Sequence, residues 1–457
     1  MTSSESLHKN VNIDNSRIWL RITSLYVILH ITFWVLLGRI TAFGIDEDGY
    51  LDVFRKVYSS SFDVHSQLSW PTNSKFLLQV IYLPAKVISL LGLPDYLALR
   101  IESGLLFYIT CWIIFRQISN ANRKLNISII VVFMFLPSVF IWTSLGLRES
   151  YIFFWITLIW LSFHKLMTQK SRKFLLLLTL GVNGLATTKI YLHALILVMA
   201  IFVLLFSLRS KGYKDCLLAI LVVMSPIFVL PGVQGELLTG ARGLILSETI
   251  SASSEGGALS SEGGALSGEG GALSSEGGAS SGLTAKLFIL QVEENQLLKS
   301  ILSQLGLLAR INSGISTQDP AKNAFTLSTN FESGSLANLE KFMRAAARFL
   351  LLPIPFAENG SFIIDLQSME SPALYLSYFV LLWHLYMILK RRPQDPQIFF
   401  GLCVFSLFFI IQSALVEVNL GTLVRHRSIL LLLIVLACTE ANIKLSKSRT
   451  SHASVKP

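Results

Sequence analysis

The residues able to do chemistry are few in this chain, and they gather at the edges of apolar runs. The stretch "GIDEDGYLDVF", beginning at Gly44, carries four acids, Asp46, Glu47, Asp48 and Asp52, directly after the first long hydrophobic run. A carboxylate held within hydrogen-bond reach of a hydroxyl can serve as a general base, and such acids can also hold a divalent cation. The same acids could equally form a solvated loop that caps a following helix. In "LGLRES", residues 145–150, Arg148 and Glu149 stand at the mouth of an apolar run. They read either as a salt-bridged helix start or as a phosphate site, because a guanidinium fork matches phosphate oxygens and keeps its charge.

Two more basic groups follow the same pattern. "TTKIYLH" sets Lys189 and His193 four residues apart, which places both on one face of a helix. Lys189 then either snorkels to the interface or is kept for function, since a charge at that depth is costly. In "NLGTLVRHR", from Asn419 to Arg427, Arg425, His426 and Arg427 precede the last apolar run, where an anionic head group would explain them. Arg100 and Glu102 enter the second run near one end, where they could support the same cavity. His30 and His384 are single histidines in apolar runs and read as packing residues.

The elements that must position these groups are membrane helices. Hydrophobic residues make up 52% of the 457 residues and charged ones 14%, with a mean hydropathy of +0.59. A soluble chain could not hide that much apolar surface behind so little charge. The net charge of +10 lies in short links such as "TQKSRK" and "KRRPQ", the pattern of cytoplasmic membrane loops rather than of a nucleic-acid groove. Cys111, Cys216, Cys403 and Cys438 fall in or beside apolar runs and show neither disulfide nor metal spacing.

Apolar runs near the bilayer's thickness predict an all-α fold of about ten spans: 18–38, 96–116, 126–145, 150–166, 174–188, 190–208, 216–232, 372–390, 398–418 and 424–441. Pro137 should kink the third. The weaker runs 75–93 and 345–357 stay uncrossed as interfacial or re-entrant pieces, because crossing the first would move basic links to the outer side. Domain boundaries follow. Residues 1–17 form a cytoplasmic tail, and 18–232 an N-terminal bundle with an acidic outer loop at 39–74. Residues 233–371 form an extracytoplasmic loop, 372–441 a C-terminal bundle and 442–457 a second cytoplasmic tail. Every unusual polar group then faces outward.

The long loop holds four seven-residue units from Ser253 to Ser280, beginning "SSEGGAL". Each unit has at least two glycines, which oppose a helix at about 1 kcal/mol apiece. The segment 253–282 reads as a flexible linker. Beyond it, 283–311 has the apolar spacing of an amphipathic helix.

Read as D-E-x-x-Y, "DEDGY" resembles the first outer loop of the GT-C glycosyltransferases, polytopic enzymes that take a sugar from a polyprenyl-phosphate carrier. That resemblance makes Asp46 the base, with Glu47 and Asp48 beside it and Tyr50 closing the motif. "LPSVFIWTSLGLRES", "LLPIPFAE" (ending in Glu358) and "NLGTLVRHR" resemble segments of bacterial membrane proteins of surface-polysaccharide synthesis. Arg148 stands where those proteins often have Lys, and "PIPFAE" lacks the Arg and Trp of their RPFPWE-like form.

The resemblance implies an inner-membrane transferase with both termini cytoplasmic. Its partners would be a polyprenyl-phosphate-linked sugar, a glycan or protein acceptor and membrane lipids, with no nucleic acid. No cofactor is required by the reading, and a divalent cation is the one the acids leave open. Asp46, Glu47 and Asp48 are then the catalytic candidates. Tyr50, Arg100, Arg148, Glu149, Lys189, His193, Glu358, Asn419, Arg425 and Arg427 are the substrate-binding ones. A polysaccharide polymerase or ligase would share the carrier and the arginines without needing an acid after the first span. A flippase would call for polar groups at the membrane midplane and an internal repeat. A structural assembly subunit would need none of these residues.

Overall fold

The structure is a computed structural model that describes residues 3–37, 45–58, 75–117, 123–169, 171–208, 213–226, 335–352, 368–393, 395–416 and 420–453. Within them every element is a helix, and no strand occurs. In chain order these are α1 (Ser3–Leu37), α2 (Ile45–Val57), α3 (Lys75–Ile81), α4 (Leu83–Leu90), α5 (Asp95–Arg116), α6 (Arg123–Phe135), α7 (Pro137–Ser144) and α8 (Glu149–Gln169). Then follow α9 (Lys173–Thr188), α10 (Ile190–Ser207), α11 (Tyr213–Val223), α12 (Ser335–Leu351), α13 (Ser371–Arg391), α14 (Gln397–Val416) and α15 (Leu420–Ala453).

Seven of the described helices are long and apolar enough to cross a membrane: Arg17–Leu36, Asp95–Arg116, Glu149–Gln169, Ile190–Ser207, Ser371–Arg391, Gln397–Ala414 and Leu423–Ser446. They mark a multi-pass membrane protein. Among the described residues that gives seven of the expected ten, or eight if a bent pair counts as one span. That pair is α6 and α7, set at 61°. Pro137 offers no N–H and its ring disfavours helical backbone at the residue before it, so Leu136 is extended at φ −60°, ψ 129°. The run 174–188 gives only the 16-residue α9, about 24 Å long against a core of about 30 Å. From 216–232 comes the 11-residue α11, and residues 227–334 lie outside the described set. The weak run 75–93 makes two short helices, α3 and α4, so no single helix spans it.

Three boundaries differ from expectation. The acidic segment is helical where described: α2 covers 13 residues of the expected loop 39–74. The N-terminal tail is helical from Ser3, continuous with the first span, and the C-terminal tail continues α15 to Ala453. The linker 253–282, the amphipathic segment 283–311, Glu358 and Asn419 lie outside the described residues, as do the side chains of Asp46 and Asp48.

The chain forms two compact units, Met1–Ser69 with Lys75–Thr157, and Leu158–Pro457 with Trp70–Ser74. The division falls inside α8, so the block read as 18–232 is shared between them. In the first unit α5 is the centre, packed by α2, α4, α6 and α7. Helix α1 is tied to it where the Tyr26 hydroxyl donates to Gly104 O at 2.8 Å and Trp19 Nε1 to the Tyr108 hydroxyl at 2.8 Å. Trp34 Nε1 donates to Ser144 O at 2.9 Å, joining α1 to the end of α7. His30 lies in an aromatic nest of Tyr26, Trp34 and Phe140, and its Nδ1–H bonds Tyr26 O. His384, in the second unit, likewise bonds its own helix, at Val380 O.

In the second unit α10 packs on α14, and α15 on α13 and α14. The closest approach is at Gly401, where a Cβ would lie 2.7 Å from Val203 Cγ2. Helix α15 is buried along the whole of Leu423–Ser446. A helix enclosed on all sides must be apolar all round, and "SILLLLIVLAC" meets that demand over three turns. Its charged residues stand at either end of that stretch.

Candidate functional site

The first unit builds its polar centre on α2. Tyr50, Leu51, Val53, Phe54 and Val57 are buried while Asp52 and Arg55 are exposed, so the helix lies on the unit with one wet face. At its start Glu47 points inward. Arg100 Nε donates to Glu47 Oε1 at 2.8 Å, and Nη2 to Oε2 at 2.9 Å. Both residues are buried, and the pair is the two-pronged geometry that best offsets the cost of taking charges from water. Gly146 N also donates to Glu47 Oε1, at 3.3 Å. One carboxylate thus fixes α2, α5 and the turn before α8. Gly146 is needed there for close approach, since a Cβ would sit 2.9 Å from Leu99 Cβ.

Beside this clamp stands an acid that sequence reading treated only as support. Glu102 is buried, and neither of its oxygens forms a hydrogen bond of good geometry. The Tyr151 hydroxyl and the backbone of Ala85 are the polar groups that face it. Tyr82 feels both Glu102 and Arg148. Burial pushes its hydroxyl well above the ordinary range, Tyr50 and Glu102 add to the rise, and Arg148 opposes it. Burial with the charge of Glu102 likewise lifts Tyr58 to about 12. Both tyrosines therefore stay protonated at neutral pH and can donate.

Arg148 lies with its Cζ 6.0 Å from the Tyr50 ring centroid. Its Nε is buried without a hydrogen-bond partner, and among the described residues it makes no ion pair. Glu149 is buried in the first turn of α8. Ser150 accepts from Ser103 at 2.8 Å, holding that turn to α5. Asp52, by contrast, pairs in solvent with Lys56 at 2.7 Å.

The second unit holds the other basic residues. Lys189 does not share a helix face with His193, because the chain breaks at Lys189, which is extended at φ −157°, ψ 96° between α9 and α10. The two side chains go separate ways. The Lys189 ammonium donates to His426 Nε2 at 2.6 Å and sits 5.2 Å from the Tyr191 ring. His193 Nε2–H donates to Val223 O at 2.7 Å, so it ties α10 to the end of α11. Arg425 and Arg427 are both buried on α15. Tyr378, Glu370 and Tyr375 bear on Arg427 electrostatically.

At the far end of α15 lies a cluster that sequence reading missed. His164 Nδ1–H donates to Glu440 Oε2 at 2.8 Å, and Lys444 Nζ lies 4.0 Å from Oε1. Glu440 stands one residue inside the expected end of the last span, 424–441. An acid inside "ACTEANIK" next to an unbroken apolar run was the signal available. Among the described residues no group of three or more His, Cys, Asp or Glu side chains stands together to hold a metal ion. No family model matches the chain, and no curated protein matches it.

Proposed function

We propose that the chain is a membrane glycosyltransferase. It moves a sugar from a polyprenyl-phosphate carrier to a glycan or protein acceptor at the outer face of a bacterial inner membrane. The supporting observation is Arg148, whose buried Nε has no hydrogen-bond partner, in the same unit as the buried acid Glu102, with Tyr82 under the influence of both. In this reading Asp46 accepts the proton of the acceptor hydroxyl as that oxygen attacks the anomeric carbon. The bond from that carbon to the phosphate oxygen breaks, and Arg148 stabilises the charge left on the phosphate. Glu47, held by Arg100, positions α2 and with it Asp46. Glu102 is a second acid able to take the proton.

Asp46→Asn keeps the shape and removes the charge, so expression should persist while sugar transfer falls about 100-fold or more. Asp52→Asn removes an exposed acid already paired with Lys56 and should leave transfer unchanged. Equal small losses in both, measured with a polyprenyl-phosphate sugar in vesicles, would remove the chemical support. Full activity in Asp46→Asn would favour a polymerase or ligase. The orientation has its own test. Cysteines placed at Ser60 and Ser267 should react with an impermeant reagent in spheroplasts, and protection of both would reverse the outward reading.

A further inference from the structure

The second unit contains a buried cation whose charge the described protein leaves unmatched. Arg427 is 2% exposed, yet its Nε and Nη1 have no hydrogen-bond partner. No carboxylate lies within ion-pair distance among the described residues. Glu370 acts on it only at longer range, together with Tyr375 and Tyr378. Those two hydroxyls donate to Leu351 O at 2.6 Å and to Leu350 O at 3.2 Å, and neither oxygen accepts from Nε or Nη1 of Arg427.

An arginine does not shed its proton to escape this situation, because its unperturbed pKa is above about 12. A buried, unmatched charge is costly, and a planar fork with two open donors is pre-shaped for the oxygens of one anion. The same turn of α15 carries Arg425, and His426 beside it receives the Lys189 ammonium. Basic side chains therefore gather around this level of the helix, and among the described residues Glu370 opposes the charge of Arg427.

We infer that Arg427, at the α13 face of α15, is the anchor of an anion site in the second unit that takes a phosphoryl group. This site lies within the second unit and is additional to the phosphate contact given to Arg148. A guanidinium with two adjacent open N–H donors suits a phosphate monoester or diester, whose oxygens accept both. The phosphoryl group could belong to a lipid or to a soluble phosphate, and the experiment separates the two.

Purified full-length protein in detergent is melted with farnesyl phosphate, inorganic phosphate or farnesol. Farnesyl phosphate should raise the melting temperature of the wild type, and farnesol should not. A comparable rise with inorganic phosphate would support the site and assign it to a soluble anion. Arg427→Met should melt at or above the wild-type temperature without ligand and bind at least tenfold more weakly. Undiminished binding by Arg427→Met would overturn the inference. A measurement on the wild type guards against a variant that does not fold. A photoreactive farnesyl phosphate should label peptides from 371–391 or 420–430, and labelling confined to other segments would overturn the site as well.

Discussion

Arg100 in the first unit and Arg427 in the second are both sealed from water, at 0% and 2% exposure. The first meets a carboxylate through two short hydrogen bonds, while the second has two nitrogens without partners. Equal burial therefore conceals opposite design. Around Arg100 the fold supplies the counter-charge from a helix distant in sequence, and the result is a joint. Around Arg427 the neighbouring hydroxyls donate to the carbonyls of α12, and two guanidinium nitrogens meet no acceptor among the described residues, which is the ground for the inferred anion site. A buried charge says little by itself; what its neighbours are already bonded to decides its role.

The strongest way to break that contrast is to open the joint. Glu47→Gln leaves Arg100 buried without its counter-ion and should cost about 3–5 kcal/mol, read as a large drop in melting temperature in detergent. Replacing both partners by apolar residues, Glu47→Leu with Arg100→Met, should recover most of it. If Glu47→Gln melted like the wild type, Arg100 would be as open as Arg427 and the contrast would fail. The next effect is steric. Gly146→Ala drives a methyl into Leu99 and should cost about 1–3 kcal/mol, with sugar transfer falling as α2 loses its third anchor. The smallest effect is expected from the glycine-rich repeat. Deleting Ser253–Ser280 should leave melting and transfer nearly unchanged, because loop closure costs only about 0.6 kcal/mol per doubling of length. Loss of expression would mean the segment packs against something.

Much of the architecture was legible along the chain because a membrane span is a local property. A run of about 20 apolar residues must pair its own backbone groups in hydrocarbon, so it forms a helix whatever surrounds it. The seven long helices and the break at Pro137 follow from that rule. The rule weakens where a run is short. Helix α9 satisfied hydropathy without reaching span length, and the acidic segment, read as a loop, is helical because its apolar residues repeat on one face of α2.

The sites were legible only in part. Sequence alone marked Glu47, Arg100, Arg148, Lys189 and Arg427 as unusual, since charge beside or within apolar chain is expensive wherever it ends up. It could not say which acid meets which base. Glu47 and Arg100 are 53 residues apart, Lys189 and His426 are 237, and His164 and Glu440 are 276. Spacing on one helix predicted that Lys189 and His193 act together, and a single extended residue separated them. Local propensity and the hydrophobic effect fix helices from neighbouring residues. Pairing depends on directional contacts between distant segments, and only the packed chain brings those segments within reach.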